Sequence, residues 1–100
     1  MSSQAIAWLR NSLKNVDSEQ EQSAYGLNSV EGVIVLKVWK GSPAVRNNGI
    51  KKGDVILEVA DQKTSNLKAF FRANAANNNE ELKLLVMRDQ SEIELNISIK

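Results

Sequence analysis

The chain has 100 residues, of which 42% are hydrophobic and 25% are charged, and its formal net charge is +1. This is the composition of one small soluble globular domain, and the near balance of charges gives no net attraction to nucleic acid or to an anionic membrane. Histidine and cysteine are absent, which excludes disulfides, Ser-His-Asp and Cys-His catalytic groups and His-ligated metal sites within this chain. No apolar run approaches the length of a transmembrane helix, and the N-terminus lacks the pattern of a signal peptide.

The first segment, residues 2–15, is predicted to be an amphipathic helix. Ser2 or Ser3 can cap it. An apolar stripe runs along it at helical spacing: Ile6, Leu9, Leu13 and Val16. Such a helix either packs on its own domain or serves as an interaction helix or linker to a neighbouring domain. The polar residues 17–23 have no apolar anchor and are predicted to be a solvated linker. The predicted division of the chain is therefore an N-terminal helix and linker at 1–23 and a domain at 24–100.

Two strands are predicted next, at residues 27–30 and 33–39, joined at Glu31-Gly32. The run from Val33 to Leu36 is entirely apolar, which is typical of a central strand buried on both faces. This second strand is therefore expected at the middle of a sheet.

The most informative stretch is 41–57, GSPAVRNNGIKKGDVIL. Ser42-Pro43 is a strong helix start, because serine caps well and proline suits the first helical position. Residues 47–49, Asn-Asn-Gly, predict the end of that short helix. Residues 51–54 then form a turn, which Asp54 is expected to fix through side-chain-to-backbone hydrogen bonds, and a buried strand continues to residue 59.

The last third predicts a turn, a helix and a hairpin. The turn is at residues 60–62, and the helix starts at Thr64-Ser65 with Ser65 as its cap and ends at residues 77–79. Alternating apolar residues in 82–87 and 93–99 predict a half-buried hairpin. Its turn is placed at Asp89-Gln90.

The central stretch resembles the core signature of PDZ domains, in particular the bacterial, circularly permuted kind. Gly41-Ser42-Pro43-Ala44 and the segment 49–56, GIKKGDVI, carry the likeness, which extends over residues 25–99. The resemblance implies an α+β fold with five strands in a partly open barrel or sandwich, capped by two helices, to which the N-terminal helix is added. Ala60-Asp61 replaces the Asn-Gly usual in the family, which predicts a different turn type.

The resemblance also implies a peptide-binding groove. The family binds a peptide carboxylate in a loop of pattern x-Φ-Gly-Φ, where Φ is apolar, and residues 24–27 match that pattern, although the same residues are also compatible with a plain strand start. The loop residues are Ala24, Tyr25, Gly26 and Leu27. An added peptide strand would then bond to the strand after Gly26, at Asn28 and Ser29.

The opposite wall of the groove is expected on the second helix. The candidate residues share helical spacing: Leu67, Phe70, Phe71 and Asn74. Two adjacent phenylalanines cannot both face one pocket, and the periodicity places Phe71 with Leu67 in the core and Phe70 nearer the groove. The alternative interpretation is that the whole set is simply hydrophobic core.

Two functions are compatible with these features. The first is a peptide-binding, substrate-recognition or regulatory module of a periplasmic HtrA-type or C-terminal-processing protease, located in the bacterial periplasm or cell envelope. The second is a protein–protein docking domain of an envelope assembly, such as the inner-membrane component of the type II secretion machine. The partners are extended or C-terminal peptides and a neighbouring protease domain, not nucleic acid or the membrane interior. No enzymatic activity, metal or cofactor is expected from this chain.

Overall fold

The computed structural model describes residues 13–37, 49–76 and 81–98. They form a six-stranded antiparallel sheet with two helices, in which the strand order is β1-β2-β3-β5-β6 and β4 pairs with β3 beyond the end of β2. The strands are β1 Leu13–Asn15, β2 Val33–Val35, β3 Val55–Val59, β4 Gln62–Lys63, β5 Glu81–Arg88 and β6 Ser91–Ser98, and the helices are α1 Glu19–Tyr25 and α2 Leu67–Ala76. The predicted α+β class is confirmed.

The central strands separate two apolar clusters. Side chains alternate between the faces of a strand, so the fully buried strand β2 sends Val33 and Val35 to one face and Ile34 to the other. The first cluster contains Phe70 of α2 and Ile56 of β3 and is the larger. The second cluster lies on the opposite face of the sheet, beneath α1 and the loop that connects α1 to β2.

An ion pair with a buried carboxylate joins the start of β3 to the end of β5. The Asp54 carboxylate accepts two hydrogen bonds from Arg88, at 2.9 Å from Nε and 2.7 Å from Nη2, and a third from the Lys51 N–H at 2.8 Å. Arg88 also donates to the carbonyl of Gly49 at 3.1 Å. The prediction that Asp54 fixes its turn is confirmed, but no local pattern predicts its pairing with Arg88, 34 residues away.

The turn at Ala60-Asp61 corrects a prediction. Both residues have positive φ, 51° and 66°, as the type of hairpin turn favoured by Asn-Gly requires. The departure from Asn-Gly therefore did not change the sign of φ at either position. The β5–β6 hairpin repeats this geometry at Asp89-Gln90, with φ of 52° and 64°, at the turn predicted from sequence.

The N-terminal predictions are wrong where the structure describes them. Residues 13–15 form strand β1, paired with β2, and not the end of a helix. Residues 19–25 form helix α1 instead of a solvated linker, because the Ser18 hydroxyl caps the helix by accepting from the Glu21 N–H at 3.1 Å. The predicted strand at residues 27–30 is also absent, since residues 28–30 form bends.

Helix α2 exists as predicted, with two corrections. Its N-cap is Asn66, whose side chain accepts from the Ala69 N–H at 2.9 Å, and not Ser65. Phe70 is the fully buried phenylalanine, whereas Phe71 is half-buried and meets the Phe70 ring edge-on at 5.3 Å. The sequence prediction assigned these two roles the other way round. In the structure Phe70 lies on the same helix face as buried Ala73, and this is the face that packs on the sheet.

Several predictions fall outside the described residues. These are the N-terminal helix up to residue 12, the short helix started at Ser42-Pro43 and the end of α2 at residues 77–79. Within the described residues, no helix is long and apolar enough to cross a membrane.

Phe70→Ala is expected to lower the free energy of unfolding by about 3–5 kcal/mol, because it truncates a fully buried aromatic ring in the larger cluster. Phe71→Ala is expected to cost clearly less, since the Phe71 ring keeps part of its solvent contact. Urea denaturation of the two variants tests this order, and equal losses would contradict the assignment of Phe70 to the core.

Arg88→Met is expected to destabilise the domain by as much as about 3–5 kcal/mol, because it leaves the Asp54 carboxylate, 2% exposed, without its counter-charge. Arg72→Met is the matched control: Arg72 is an exposed arginine on α2, and its replacement is expected to change stability by no more than about 0.5 kcal/mol. Similar losses in the two variants, measured by chemical denaturation, would show that the ion pair is not the cause.

Candidate functional site

The predicted carboxylate loop is the C-terminal cap of helix α1. Ala24 and Tyr25 are the last residues of the helix, and Gly26 comes next in the left-handed conformation at φ 71°. The N–H of Gly26 donates to the Ser23 carbonyl at 3.2 Å, and the N–H of Leu27 donates to the Gln22 carbonyl at 2.9 Å. These two N–H groups therefore satisfy the end of the helix and are not directed at a ligand.

Gly26 is required here for two structural reasons. A positive φ is strained for residues with a Cβ, and an added Cβ would lie 3.0 Å from Cγ of Gln90 in the β5–β6 turn. The sequence pattern x-Φ-Gly-Φ is thus explained by helix termination and by close packing against the hairpin.

The two halves of the predicted groove are on opposite faces of the sheet. Leu27 packs in the second cluster with Ile34 and Met87. Leu67, Phe70 and Phe71 belong to the first cluster or pack against it. Asn28 and Ser29 are exposed residues in bends and not part of a strand, so the strand predicted beside α2 is not at residues 27–29.

The strand that does lie beside α2 is β1. The Asn15 side-chain oxygen accepts from the Leu67 N–H at 2.6 Å and joins the end of β1 to the first turn of α2. Leu13 packs in the same cluster as Phe70. Among the described strands, β1 is terminal in the sheet order and pairs only with β2. The structure therefore brings a sheet edge and a helix together here, which is the arrangement that binds an extended peptide as an added strand.

The α2 side chains that were predicted to line the groove differ in burial. Leu67 and Phe71 are half-buried one turn apart, while Asn74 is 2% exposed. The Oδ1 atom of Asn74 has no hydrogen-bond partner in the described part of the chain. A buried acceptor without a partner costs about 1–3 kcal/mol, and this oxygen is out of contact with solvent.

Sequence reasoning missed Leu13 and Asn15 because Leu13 fits an apolar helical stripe. One signal could have found the strand: Ser18-x-x-Glu21 is a capping-box pattern, which marks a helix start at residue 19. In the structure Glu21 accepts from the Asp17 N–H at 2.9 Å. A helix start at this point separates residues 13–15 from the helix at 19–25.

The loop between Leu27 and β2 is held by Glu31. Its carboxylate accepts from the Ser29 hydroxyl at 2.8 Å and forms an ion pair with Lys63 at 3.0 Å. The hydrogen bonds from Ser29, Lys63 and Ser65 lower the pKa of Glu31 from 4.5 to about 2. The Gly32 N–H also donates to the Ser65 carbonyl at 2.9 Å, so this loop is fixed to the segment that precedes α2.

Comparison with known proteins identifies the architecture. The sequence matches the PDZ domain family over residues 11–99. The chain belongs to the PDZ domain family. The match begins close to β1, in agreement with the structure, where β1 and α1 are integral parts of the fold.

Two curated relatives are similar in sequence to this PDZ domain. It is 36% identical over 84 residues to the probable periplasmic serine endoprotease DegP-like of Rickettsia prowazekii (strain Madrid E), which covers 82% of this chain and 16% of the relative. It is 37% identical over 83 residues to the protein of the same name from Rickettsia conorii (strain ATCC VR-613 / Malish 7), with the same coverages. The chain thus spans about a sixth of the length of these relatives.

Solved structures confirm the PDZ-like fold. A serine-to-alanine variant of the HtrA-type protease AlgW with a decapeptide has a TM-score of 0.72 and 25% identity, over 86% of this chain and 26% of that chain. The HtrA3 PDZ domain bound to a phage-derived ligand has a TM-score of 0.64 and 22% identity, over 86% of this chain and 75% of that chain. The resemblance to PDZ domains of HtrA-type proteases is confirmed, and the secretion-machine alternative is not favoured.

No metal site accompanies the groove in the described residues, where no group of three or more acidic side chains could hold an ion. The β1–α2 edge of this PDZ domain offers backbone hydrogen bonding along β1 and apolar contact with Leu67 and Phe71.

Glu31→Gln is expected to remove a pH-dependent part of the stability. The folded-state pKa of Glu31 is depressed from 4.5 to about 2, so its contribution is complete above 4.5 and is lost as the pH falls toward 2. The stability difference between the native PDZ domain and Glu31→Gln should therefore shrink over this window in urea titrations. Lys63→Met should raise the folded-state pKa of Glu31 toward 4.5, because the paired ammonium is lost, and the pH range over which stability changes should become narrower. A difference that stays constant from pH 7 to pH 2 would contradict this account.

Proposed function

We propose that this PDZ domain is the peptide-recognition module of an HtrA-type protease of the bacterial periplasm or cell envelope. The two curated relatives, both named probable periplasmic serine endoproteases, support this proposal. Because the chain spans about 16% of their length, proteolysis itself is assigned to another part of a longer protein, and the role of this part is to bind substrate or regulatory peptides.

The observation that carries the proposal is the position of β1. It is a terminal strand whose outer edge is not paired within the described residues, and it lies beside α2 with Asn15 bonded to Leu67. An extended peptide placed along this edge would continue the sheet through its backbone, and its side chains would contact α2 at Leu67 and Phe71. Neighbours with bound ligands, AlgW with a decapeptide and HtrA3 with a phage-derived ligand, support this use of the fold.

The ligand class is an extended peptide with an apolar last residue. Half-buried Leu67 and Phe71 favour an apolar side chain at the helix. A short added strand must offset its own ordering cost, so affinity is expected in the micromolar range, about −8 kcal/mol. The terminal carboxylate would need convergent N–H donors outside Gly26 and Leu27, whose N–H groups are already bonded.

The test is an NMR titration with a pentapeptide that ends in valine with a free carboxylate. The amides of residues 13–15 and 67–76 are expected to shift, and amidation of the peptide is expected to weaken binding if the terminus is read. Phe71→Ala should weaken binding several-fold by removing an apolar contact. Arg72→Ala, on an exposed position of the same helix, is the matched control and should leave affinity unchanged.

Three results would count against the β1–α2 groove. Shifts confined to residues 25–29 would show that the peptide binds at the loop predicted from sequence and not beside β1. An equal effect of Phe71→Ala and Arg72→Ala would remove α2 from the site. The absence of any shift with a library of free-carboxylate peptides would favour a docking role in which C-termini are not the ligand.

A further inference from the structure

A second concave surface lies on the face of the sheet opposite the first apolar cluster, which contains Phe70 of α2. It is a cavity of about 340 Å³ between the 27–32 loop and strands β3 to β6. Its size is at the lower end of the range of about 300–1,000 Å³ typical of binding pockets, which suits one or two side chains. We call this surface the rear pocket, and its defining side chains are Leu27, Leu57, Leu85, Met87, Glu58 and Glu92.

The floor of the rear pocket is apolar. It is formed by its three leucines and Met87. Leu57 and Leu85 are half-buried, so they retain solvent-exposed apolar area. Val30, in the loop beside the pocket, is 38% exposed and is one of the two large exposed hydrophobic residues in the described chain.

The rim of the rear pocket is acidic. Three carboxylates line it, those of Glu31, Glu58 and Glu92, against the single ammonium of Lys63. Lys63 already pairs with Glu31 at 3.0 Å. Glu58 and Glu92 form no ion pair within residues 13–37, 49–76 and 81–98. The rim therefore has an excess of two negative charges, from three carboxylates and one ammonium, next to an apolar floor.

The sheet geometry places each of these charges beside an apolar side chain. Consecutive residues of a regular strand point to opposite faces, but a register shift between Ile56 and Glu58 lets both Leu57 and Glu58 line the pocket. Met87 and Glu92 are direct cross-strand partners in the β5–β6 hairpin. The pocket thus repeats one pattern twice, an apolar contact with a carboxylate next to it.

The wall of the pocket is fixed before any ligand arrives. Glu31 bonds Ser29 and Lys63, and the Gly32 N–H donates to the Ser65 carbonyl at 2.9 Å. A preformed wall reduces the entropy lost on binding. The complementary ligand has a large apolar side chain flanked by cations.

We propose that the rear pocket binds a segment of a partner polypeptide in which a large apolar side chain adjoins lysine or arginine. The apolar side chain contacts Leu57, Leu85 and Met87, and the neighbouring cations pair with Glu58 and Glu92. This interaction uses neither the β1–α2 groove nor a free C-terminus, so it is independent of the peptide recognition proposed for that groove.

The probe is a short blocked peptide, acetyl-Gly-Lys-Leu-Lys-Gly-amide, titrated into the methyl-labelled domain. The methyl resonances of Leu57, Leu85 and Met87 are expected to shift, and the affinity is expected to fall as salt is raised, because exposed charges are screened. The matched peptide acetyl-Gly-Glu-Leu-Glu-Gly-amide is expected not to bind. Blocking both ends prevents recognition of a terminal carboxylate.

The double variant Glu58→Gln, Glu92→Gln is expected to weaken binding of the lysine peptide by at least about threefold, since exposed ion pairs are individually weak. Glu94→Gln is the control: Glu94 lies on the same hairpin but pairs with Lys83 at 3.7 Å, outside the rear pocket, and its loss should not change affinity. Circular dichroism and a denaturation midpoint would establish that both variants are folded.

Several outcomes would overturn the proposal. They are equal binding of the glutamate peptide, an equal effect of Glu94→Gln, and methyl shifts that are absent or occur only around residues 13–15 and 67–76. The last control is the protein without peptide, measured at increasing concentration. If the same methyl shifts appear and sedimentation shows a dimer, the pocket binds a second copy of this chain instead of a basic partner segment.

Discussion

The structure depends on the charge pair that closes the centre of the sheet. Asp54 stands at the entry to β3 and Arg88 at the end of β5, and their two hydrogen bonds fix the register in which Val55 pairs with Met87. The hydrogen bonds to the Asp54 carboxylate raise the pKa of Arg88 above its ordinary value. With β3 and β5 fixed in this way, every other described strand is positioned by pairing outward from them.

A second constraint is the shortness of strand β2, which lies between β1 and β3. Three residues of β2, all buried, are enough to supply both apolar clusters because alternate side chains leave opposite faces. Helix α2 packs on one face of the sheet, beside the edge strand β1. The other face receives Leu27 and the loop that Glu31 holds in place. The domain therefore has two surfaces of different chemistry: a sheet edge beside a helix, and an apolar floor with an acidic rim.

The fate of residues 24–27 shows how one short motif can satisfy different structural demands. A glycine between two apolar residues suits a loop whose N–H groups converge on an anion, and it equally suits the end of a helix. The carbonyls of Gln22 and Ser23 decide between the two roles, because they accept from Leu27 and Gly26 at 2.9 and 3.2 Å. Nothing in the four residues themselves distinguishes these outcomes.

The sequence alone determined the features that depend on local pattern. The α+β class, the buried strand after Asp54, helix α2 and the hairpin at Asp89-Gln90 arise from periodicity and turn chemistry within a few residues. Tertiary structure decided the features that depend on distant partners. Leu13 is a strand residue because β2 lies beside it, and Phe70 is buried rather than Phe71 because the sheet lies under that side of the helix. Helical and strand spacing restrict which side chains share a face, but only packing determines which face is covered.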